Sequence, residues 1–397
     1  MGLVPNKFTS MAPNRDRRES FSGLSKELKK AIMGNCRICQ TKSSLISSEL
    51  SLCLDCIRCQ PEQTREIALE VHGRIRCEWE LPGQAPRHTD GIVCNLCVNR
   101  CQIADEGLGY CGLRKNVGGR IKGVTTTKGK LSWYHDPLPT NCVGNWVCPA
   151  GSGCGYPKYS YVKGPEYGYE NLAVFPHACT FHCLYCQNWH FRNHTLDDKY
   201  ELSENLARAV SIKTACICYF GGDPSPQLPY LLHVSRKFQE SKKGRILRIC
   251  WETNGAMSKK LLRDVVESAL VSGGCIKLDL KAWDETLHIA LTGVTNSRTL
   301  VNFEWLAKLI PSRPEPPFLI ASTLMVPGYI DAQEILRIAE FIASLNPEIP
   351  YSLLAFHPDY KMTDLGPTSR KLARQCLAAA KQAGLSRVKV GNMHLLW

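Results

Sequence analysis

Three closely spaced cysteines constrain this chain more than any other feature. Cys179, Cys183 and Cys186 are spaced C-x3-C-x2-C and directly follow the apolar run 171–175, which predicts a strand. Three thiolates at this spacing can bind three corners of a cubane [4Fe–4S] cluster and leave the fourth iron open. In parallel α/β barrels, the loop after a strand is where active sites are built. The triplet therefore predicts an iron–sulfur active site at the end of a strand.

From residue 171 onward, strand and helix signals alternate. Helix signals include Ser258 before a run that stops at Gly273, the capping pair Asp331 and Glu334, and a last helix from near Pro367 to Gly384. Six short apolar runs predict buried strands at 171–175, 216–220, 246–251, 275–280, 318–325 and 351–356. Six such strand–helix repeats predict a parallel, curved sheet with helices outside.

The triplet and six later motifs occur in the order typical of the radical S-adenosylmethionine (SAM) superfamily. The motifs are Tyr219–Ser225, Trp251–Gly255, Lys277–Lys281, Met325–Gly328, Phe356–Pro358 and Gly391–Asn392. The chain most resembles the branch of the pyruvate formate-lyase activating enzyme and its uncharacterised relatives, including AmmeMemoRadiSam-type proteins. The resemblance implies an α/β fold with a partial (β/α)6 TIM-like barrel, here preceded by a small Cys-rich metal-binding region.

The resemblance also implies where SAM binds. Gly221, Gly222 and Asp223 match the motif that contacts its amino group, although many members carry Glu where this chain has Asp223. Asn254 lies in the ribose-contacting trio and Tyr185 takes the aromatic position against the adenine. The alternatives are a tight turn after a buried strand for the glycines and core packing for Tyr185.

Two candidate catalytic residues follow later strands. Lys281 follows Asp279 by two positions at the end of the fourth predicted strand. The resemblance implies that Lys281 neutralises a carboxylate of SAM or of the substrate. An internal Asp279–Lys281 ion pair is the alternative. His357 resembles the histidine near the cofactor in activating enzymes, whereas a lone histidine at a barrel mouth is often only hydrogen-bonded packing.

These features predict an enzyme with a [4Fe–4S] cluster and SAM as cofactors. The resemblance implies one-electron cleavage of SAM to a 5′-deoxyadenosyl radical, which abstracts hydrogen from a protein or peptide substrate. Activation of a glycyl radical enzyme is one form of this activity and another protein modification is the second. A small-metabolite substrate stays open, as does a non-catalytic metal- or nucleic-acid-binding scaffold. We expect an electron donor such as ferredoxin or flavodoxin.

Two further cysteine sets precede the barrel. The first suits either an auxiliary [4Fe–4S] cluster or zinc, since sulfur-only ligation serves both. The second has zinc-ribbon spacing, for which we favour structural zinc over a cluster. The sets are Cys94, Cys97, Cys101 and Cys111, and Cys36, Cys39, Cys53 and Cys56. Activases with added clusters usually carry them after the core motif, so this position weakens the activase interpretation.

Other cysteines have simpler interpretations. Cys142, Cys148 and Cys154 match no ligand pattern. Three interpretations stay open for them: they line the substrate entrance, they supply a resolving thiol, or they have no role. Those within strands and on the last helix are interpreted as small apolar core residues: Cys216, Cys218, Cys250, Cys275 and Cys376.

Composition sets the remaining expectations. The chain has 397 residues, 21 cysteines and a net charge of +13. The N-terminus has no signal-peptide run, so we expect a cytoplasmic protein in which the cysteines bind metals. No apolar run approaches 18 residues, so we expect no membrane span. Several fully liganded clusters would favour an anaerobic or low-oxygen setting. The dispersed basic charge fits an acidic protein partner and argues against nucleic acid. We predict four parts: a disordered basic tail (1–25), a zinc-ribbon-like module (26–85), an auxiliary-cluster region and linker (86–170) and the barrel (171–397).

Overall fold

An eight-stranded sheet organises most of the structure, a computed structural model that describes residues 33–242 and 244–397. The strands are β1 (Gly34–Asn35), β2 (Lys42–Ser43), β3 (Ile92–Val93), β4 (Gln102–Ile103), β5 (Arg114–Val117), β6 (Arg120–Gly123), β7 (Lys128–Gly129), β8 (Leu131–Pro137), β9 (Glu170–Pro176), β10 (Glu201–Leu202), β11 (Thr214–Tyr219), β12 (Arg248–Thr253), β13 (Ile276–Asp279), β14 (Leu319–Met325), β15 (Tyr351–Ala355) and β16 (Val388–Gly391). The helices are α1 (Leu54–Cys59), α2 (Pro61–Cys77), α3 (Pro149–Ser152), α4 (Ser203–Arg208), α5 (Leu228–Ser241), α6 (Lys259–Ser272), α7 (Glu285–Thr292), α8 (Ser297–Ala307), α9 (Ala332–Leu345) and α10 (Arg370–Gln382). The predicted disordered tail at 1–25 lies outside the described residues.

The large sheet is a partial barrel. Its strand order is β16-β15-β14-β13-β12-β11-β9-β8, and every pair from β9 to β16 is parallel. Helices connect successive parallel strands from β11 onward, as a parallel sheet requires. Strands β8 and β16 are the two edges, so the barrel is open between them. The predicted fold class is confirmed.

Two strands of this sheet were not predicted from the sequence. β16 adds a seventh parallel strand beside β15, and β8 pairs antiparallel with β9 along its whole length. The sheet therefore begins at residue 131, whereas the sequence predicted its first strand at 171. The last helix also starts later than predicted, at Arg370, because Ser369 accepts a hydrogen bond from the Leu372 amide and caps it. The four-part division of the chain stays a prediction.

The N-terminal region packs against the outside of the barrel. The Tyr329 hydroxyl accepts from the Ser47 amide at 2.9 Å and donates to the Leu52 carbonyl at 3.1 Å. Arg58 pairs with Asp331, the N-cap of α9, at 3.0 Å. Leu50, Leu52 and Ile57 join the same buried core as the barrel strands. Among the described residues, the helices are too short or too polar to cross a membrane.

Candidate functional site

A cavity of about 630 Å³ lies at the C-terminal ends of the parallel strands. Its walls come from residues at or just after successive strands, because the carboxyl ends of parallel strands meet at one edge. It brings together ten of the predicted site residues, in addition to others: Cys179, Cys183, Tyr185, Cys186, Gly221, Gly222, Asp223, Asn254, Asp279 and Lys281. Residues that are spread over about a hundred positions of the sequence thus line one cavity.

The three thiols of the triplet lie on a loop held by backbone hydrogen bonds. The Cys186 amide donates to the Cys183 carbonyl at 3.2 Å, and the Leu184 amide donates to the Leu291 carbonyl at 3.0 Å. Burial raises the pKa of Cys183 to about 11 and that of Cys179 well above its usual range. As free thiols both are therefore neutral at pH 7, and a metal must displace their protons to bind. The donor set is sulfur only, as an iron–sulfur cluster needs.

Asp223 organises the strand ends around this loop. Its buried carboxylate accepts from Thr253 Oγ1 at 2.6 Å and from the Asn254 and Ser225 amides at 3.0 Å each. Burial raises the pKa of Asp223, opposed by these donors. Asn254 in turn donates through Nδ2 to Thr180 Oγ1 at 2.7 Å. Asp223 thus fixes Thr253 and Asn254 against the loop of the cysteine triplet, and its contact with SAM stays a prediction.

The glycine pair lets two strand ends approach closely. A Cβ on Gly222 would lie 2.2 Å from the Ala178 carbonyl oxygen, which is far inside van der Waals contact. Gly221 has a φ of 93°, in the left-handed region that favours glycine. The two residues are therefore needed for the backbone packing beside Cys179, in addition to any approach of a ligand.

Lys281 and Asp279 both line the cavity and form the ion pair that was the alternative to the predicted role of Lys281. Lys281 Nζ is 2.7 Å from Asp279 Oδ2, and the other carboxylate oxygen accepts from Ser322. Burial opposes the charge of Lys281, but the neighbouring Asp279 carboxylate outweighs it and raises the pKa of Lys281 well above its usual range. The ammonium is thus positive at neutral pH and is available to a carboxylate in the cavity.

Among the residues predicted to bind SAM, to hold its cluster or to act in catalysis, only His357 does not line the cavity. It is exposed, and it is not among the residues that line the cavity. Strand β15 ends at Ala355, and its cavity-lining side chains are those of Ser352 and Leu354. A catalytic role for His357 stays a prediction to which this geometry adds no support.

Arg192 lines the cavity and was missed from the sequence. Its guanidinium lies against the Cys186 thiol and 4.7 Å from the Tyr360 ring centroid. The side chain is buried, and its Nη1 has no hydrogen-bond partner within the described part of the chain. A lone arginine in a short 3₁₀ helix, Trp189–His194, carries no sequence signal that would place it beside the triplet.

The predicted auxiliary set, Cys94, Cys97, Cys101 and Cys111, packs directly against the loop that carries Cys179, Cys183 and Cys186. Asn99, between Cys97 and Cys101, donates through Nδ2 to the Thr180 carbonyl at 2.8 Å. The Cys94 amide donates to the Cys101 carbonyl at 2.8 Å, which closes the loop. Burial raises the pKa of Cys101 to about 11.

The zinc-ribbon set converges as predicted. The Sγ atoms of Cys36, Cys39, Cys53 and Cys56 all lie within 4.8 Å of one another. Cys39 Sγ and Cys53 Sγ are 3.7 Å apart. A tetrahedral zinc with bonds of about 2.3 Å holds its sulfur atoms about 3.8 Å apart, so this geometry fits a single zinc ion.

Similarity to known proteins supports an enzyme of the radical SAM class. The chain matches the Radical SAM superfamily over residues 174–342. It is 25% identical to an uncharacterised protein of Methanocaldococcus jannaschii over 308 residues, which cover 76% of this chain and 81% of that protein. It is 28% identical to the pyruvate formate-lyase-activating enzyme of Staphylococcus aureus over 206 residues, 49% of this chain and 77% of that enzyme. The predicted resemblance to this superfamily and to its activating-enzyme branch is confirmed.

Two solved structures are also similar in part. A domain of the pyruvate-formate lyase-activating enzyme from Bacteroides vulgatus aligns at 22% identity with a TM-score of 0.35, covering 44% of this chain and 98% of that domain. SuiB of Streptococcus suis aligns at 15% identity with a TM-score of 0.41, covering 55% of this chain and 48% of SuiB.

Proposed function

We propose that this enzyme uses a [4Fe–4S] cluster and SAM to abstract hydrogen from a protein or peptide substrate. The observation that carries the proposal is that Cys179, Cys183 and Cys186 line the same cavity as Gly221–Asp223 and Lys281. When bound, the cluster and SAM supply a 5′-deoxyadenosyl radical. The polypeptide positions these groups and excludes water, since the cofactors carry the difficult chemistry.

The protein side chains have distinct tasks in this proposal. Cys179, Cys183 and Cys186 hold the cluster, and Lys281 attracts a carboxylate of SAM or of the substrate. Arg192 places a cation against Cys186, and hydrogen bonds or charge near cluster sulfurs tune the reduction potential.

A macromolecular substrate is supported by two observations. The S. aureus relative is named for activating another enzyme, pyruvate formate-lyase. The net charge of +13 also favours an acidic protein surface as partner, through electrostatic steering. The same charge suits an acidic electron donor such as ferredoxin or flavodoxin.

For the two N-terminal sets we propose different metals. Zinc is proposed for Cys36, Cys39, Cys53 and Cys56, supported by the convergence of all four thiols on one tetrahedral volume. An auxiliary [4Fe–4S] cluster is proposed for Cys94, Cys97, Cys101 and Cys111. Its support is the sulfur-only donor set and the direct contact of its loop with the carbonyl of Thr180, beside Cys179.

The substrate class can be tested with deuterated cell extract. The reconstituted enzyme, dithionite and SAM are mixed anaerobically with either the macromolecular fraction or the small-molecule filtrate. We expect 5′-deoxyadenosine that carries deuterium only with the macromolecular fraction. Deuterium from the filtrate alone would contradict a protein substrate, and no 5′-deoxyadenosine from a fully loaded enzyme would refute radical SAM activity.

Replacing Gly222 with alanine should slow SAM cleavage severely. The new Cβ would meet the Ala178 oxygen at 2.2 Å and force the adjacent Cys179 to move. Displacements of about 1 Å in an active site cost roughly 100-fold in rate, so we expect a loss of about that size. Gly366→Ala is the matched control, because a methyl group added at Gly366 would have no neighbouring atom within 4 Å. Equal rates of 5′-deoxyadenosine formation in the two variants would contradict the role of Gly222.

A further inference from the structure

A second cavity of about 360 Å³ shares a wall with the SAM cavity. Asn141, Cys142, Asn145, Phe220 and Glu252 line both. The interior of a complete (β/α)8 barrel is filled by bulky branched side chains. Here the corresponding space is lined by six cysteines, whose small side chains leave it open: Cys142, Cys148, Cys216, Cys218, Cys250 and Cys275. We call this space the thiol chamber.

Strand register explains why these thiols meet. Side chains two apart on a strand share a face, and parallel strands lie about 4.8 Å apart. Cys218 on β11 is the direct partner of Cys250 on β12. The Trp251 amide donates to the Cys275 carbonyl at 2.8 Å, which places Cys275 beside Cys250. Cys218, Cys250 and Cys275 therefore form a row across three neighbouring strands. All three are buried, and Cys275 also packs against Val147 and Ile320.

The thiols are arranged as two pairs. Cys142, from the loop after β8, lies near Cys218, because Lys277 Nζ is within hydrogen-bonding distance of both sulfur atoms. Cys250 lies beside Cys275, its neighbour across β12 and β13. Lys277 Nζ lies 2.8 Å from Cys142 Sγ and 3.1 Å from Cys218 Sγ. Lys277 is 2% exposed, and its nearest carboxylate oxygen is Glu252 Oε2 at 3.3 Å. A buried ammonium between two sulfur atoms is expected where the sulfur atoms carry negative charge.

We propose that the thiol chamber holds a [2Fe–2S] cluster, with Cys142 and Cys218 on one iron and Cys250 and Cys275 on the other. Such clusters take four cysteine thiolates, two on each iron, and the two thiol pairs match this division. The chamber has a volume of about 360 Å³, room for about twelve waters at roughly 30 Å³ each, which is more than a single metal ion needs. Lys277, which contacts two of the sulfur atoms, offsets part of the negative charge of a sulfur-ligated cluster.

The position of the chamber suits this cluster for electron transfer with the neighbouring cavity. Because Cys142 and Glu252 line both cavities, a cluster held by Cys142 is adjacent to whatever occupies the SAM cavity. It can accept one electron from a molecule bound there, which is oxidised by one electron as the cluster is reduced by one. The proposal does not depend on which substrate that molecule is.

The test is iron speciation of the intact enzyme. The full chain is reconstituted anaerobically with ⁵⁷Fe and compared by Mössbauer spectroscopy and by iron, sulfide and zinc analysis with the Cys142→Ser/Cys250→Ser double variant. The double variant should lose about two irons, two sulfides and the whole [2Fe–2S] component. The matched control is Cys154→Ser/Cys376→Ser. Cys154 donates a hydrogen bond to Glu315, and Cys376 lies on α10. Neither residue lines the chamber.

Two further variants keep the test decisive. Cys142→Ser alone changes a loop residue and leaves the strand cysteines intact, so it should remove the [2Fe–2S] component from a protein that still folds. Lys277→Met should retain the two irons and lower their reduction potential, since it removes a cation and two N–H···S contacts. Wild-type protein without a [2Fe–2S] component, or equal iron in the double variant and its control, would overturn the proposal. The cluster at Cys179, Cys183 and Cys186 is assayed separately by 5′-deoxyadenosine formation, so either conclusion can fail alone.

Discussion

Replacing Cys183 with alanine should abolish SAM cleavage while leaving the fold intact. Cys183 is the central member of the triplet, it is 9% exposed and its thiol lines the cavity. The hydrogen bonds that hold its loop use backbone groups of Cys183, Leu184 and Cys186, and alanine retains them. Two remaining thiols cannot hold a cubane cluster with one open iron. We therefore expect the rate to fall at least about 1000-fold, which corresponds to about 4 kcal/mol in the activation free energy.

The measurement pairs activity with iron content. 5′-Deoxyadenosine is quantified after anaerobic reaction with dithionite and SAM, and iron and sulfide are counted in the same sample. Cys376→Ala is the control, because this buried cysteine on α10 lies far along the chain from the triplet and outside both cavities. A Cys183→Ala enzyme that kept the wild-type iron content and rate would show that the open cluster is held elsewhere.

The parts of the site that the sequence predicted are those with local signals. The triplet follows an apolar run, and that run is β9. Gly221 and Gly222 follow β11, and Asn254 follows β12. In each case a short stretch specifies both the strand and the residue type at its end, so the shared edge of a parallel sheet brings the residues together.

The parts that were missed depend on contacts between distant segments. Cys216 and Cys218 look like apolar core residues within one strand, since a single strand does not show which neighbours its inner face meets. The Cys218 thiol meets Lys277 from β13, which also contacts Cys142 from the loop after β8. β8 itself was missed because its pairing partner, β9, lies more than thirty residues later.

His357 shows the limit of arguing from strand ends. It follows β15 as Asn254 follows β12, yet Asn254 is buried in the cavity wall and His357 is exposed. The direction of a side chain beyond the last paired residue depends on how the loop turns. Here the Phe356 amide donates to Thr368 Oγ1 at 2.7 Å, a contact twelve residues away that fixes the loop.

Replacing Glu166 with glutamine should destabilise the enzyme more than any change at an exposed charge. Glu166 and Arg248 are 0% and 1% exposed, and Arg248 Nη1 donates to Glu166 Oε1 at 2.9 Å. The carboxylate also accepts from the Tyr161 amide at 2.9 Å and from Ser160 Oγ at 3.1 Å. This pair ties the segment before β9 to the first residue of β12. Removing one member of a buried pair leaves the other charge uncompensated, so we expect the free energy of unfolding to fall by about 3–5 kcal/mol.

Urea unfolding followed by circular dichroism measures this loss, with two comparisons. Glu304→Gln breaks an exposed pair with Lys308 and should cost less than about 1 kcal/mol. Glu166→Leu/Arg248→Met removes both charges and should recover most of the stability lost in Glu166→Gln. If the double variant were as unstable as the single one, the loss would come from packing and not from an unpaired Arg248.

The same pair predicts how the loss depends on pH. Burial raises the pKa of Glu166, but Arg248 and the local donors outweigh it and hold the pKa below its usual value. A carboxyl whose folded-state pKa is lowered contributes its full stability above the pKa of the unfolded chain and loses it as the pH falls through the folded-state pKa. The difference between wild type and Glu166→Gln should therefore be constant near neutral pH and shrink in acid. A difference that stayed the same down to the acid-unfolding range would mean that Glu166 is not charged in the folded enzyme.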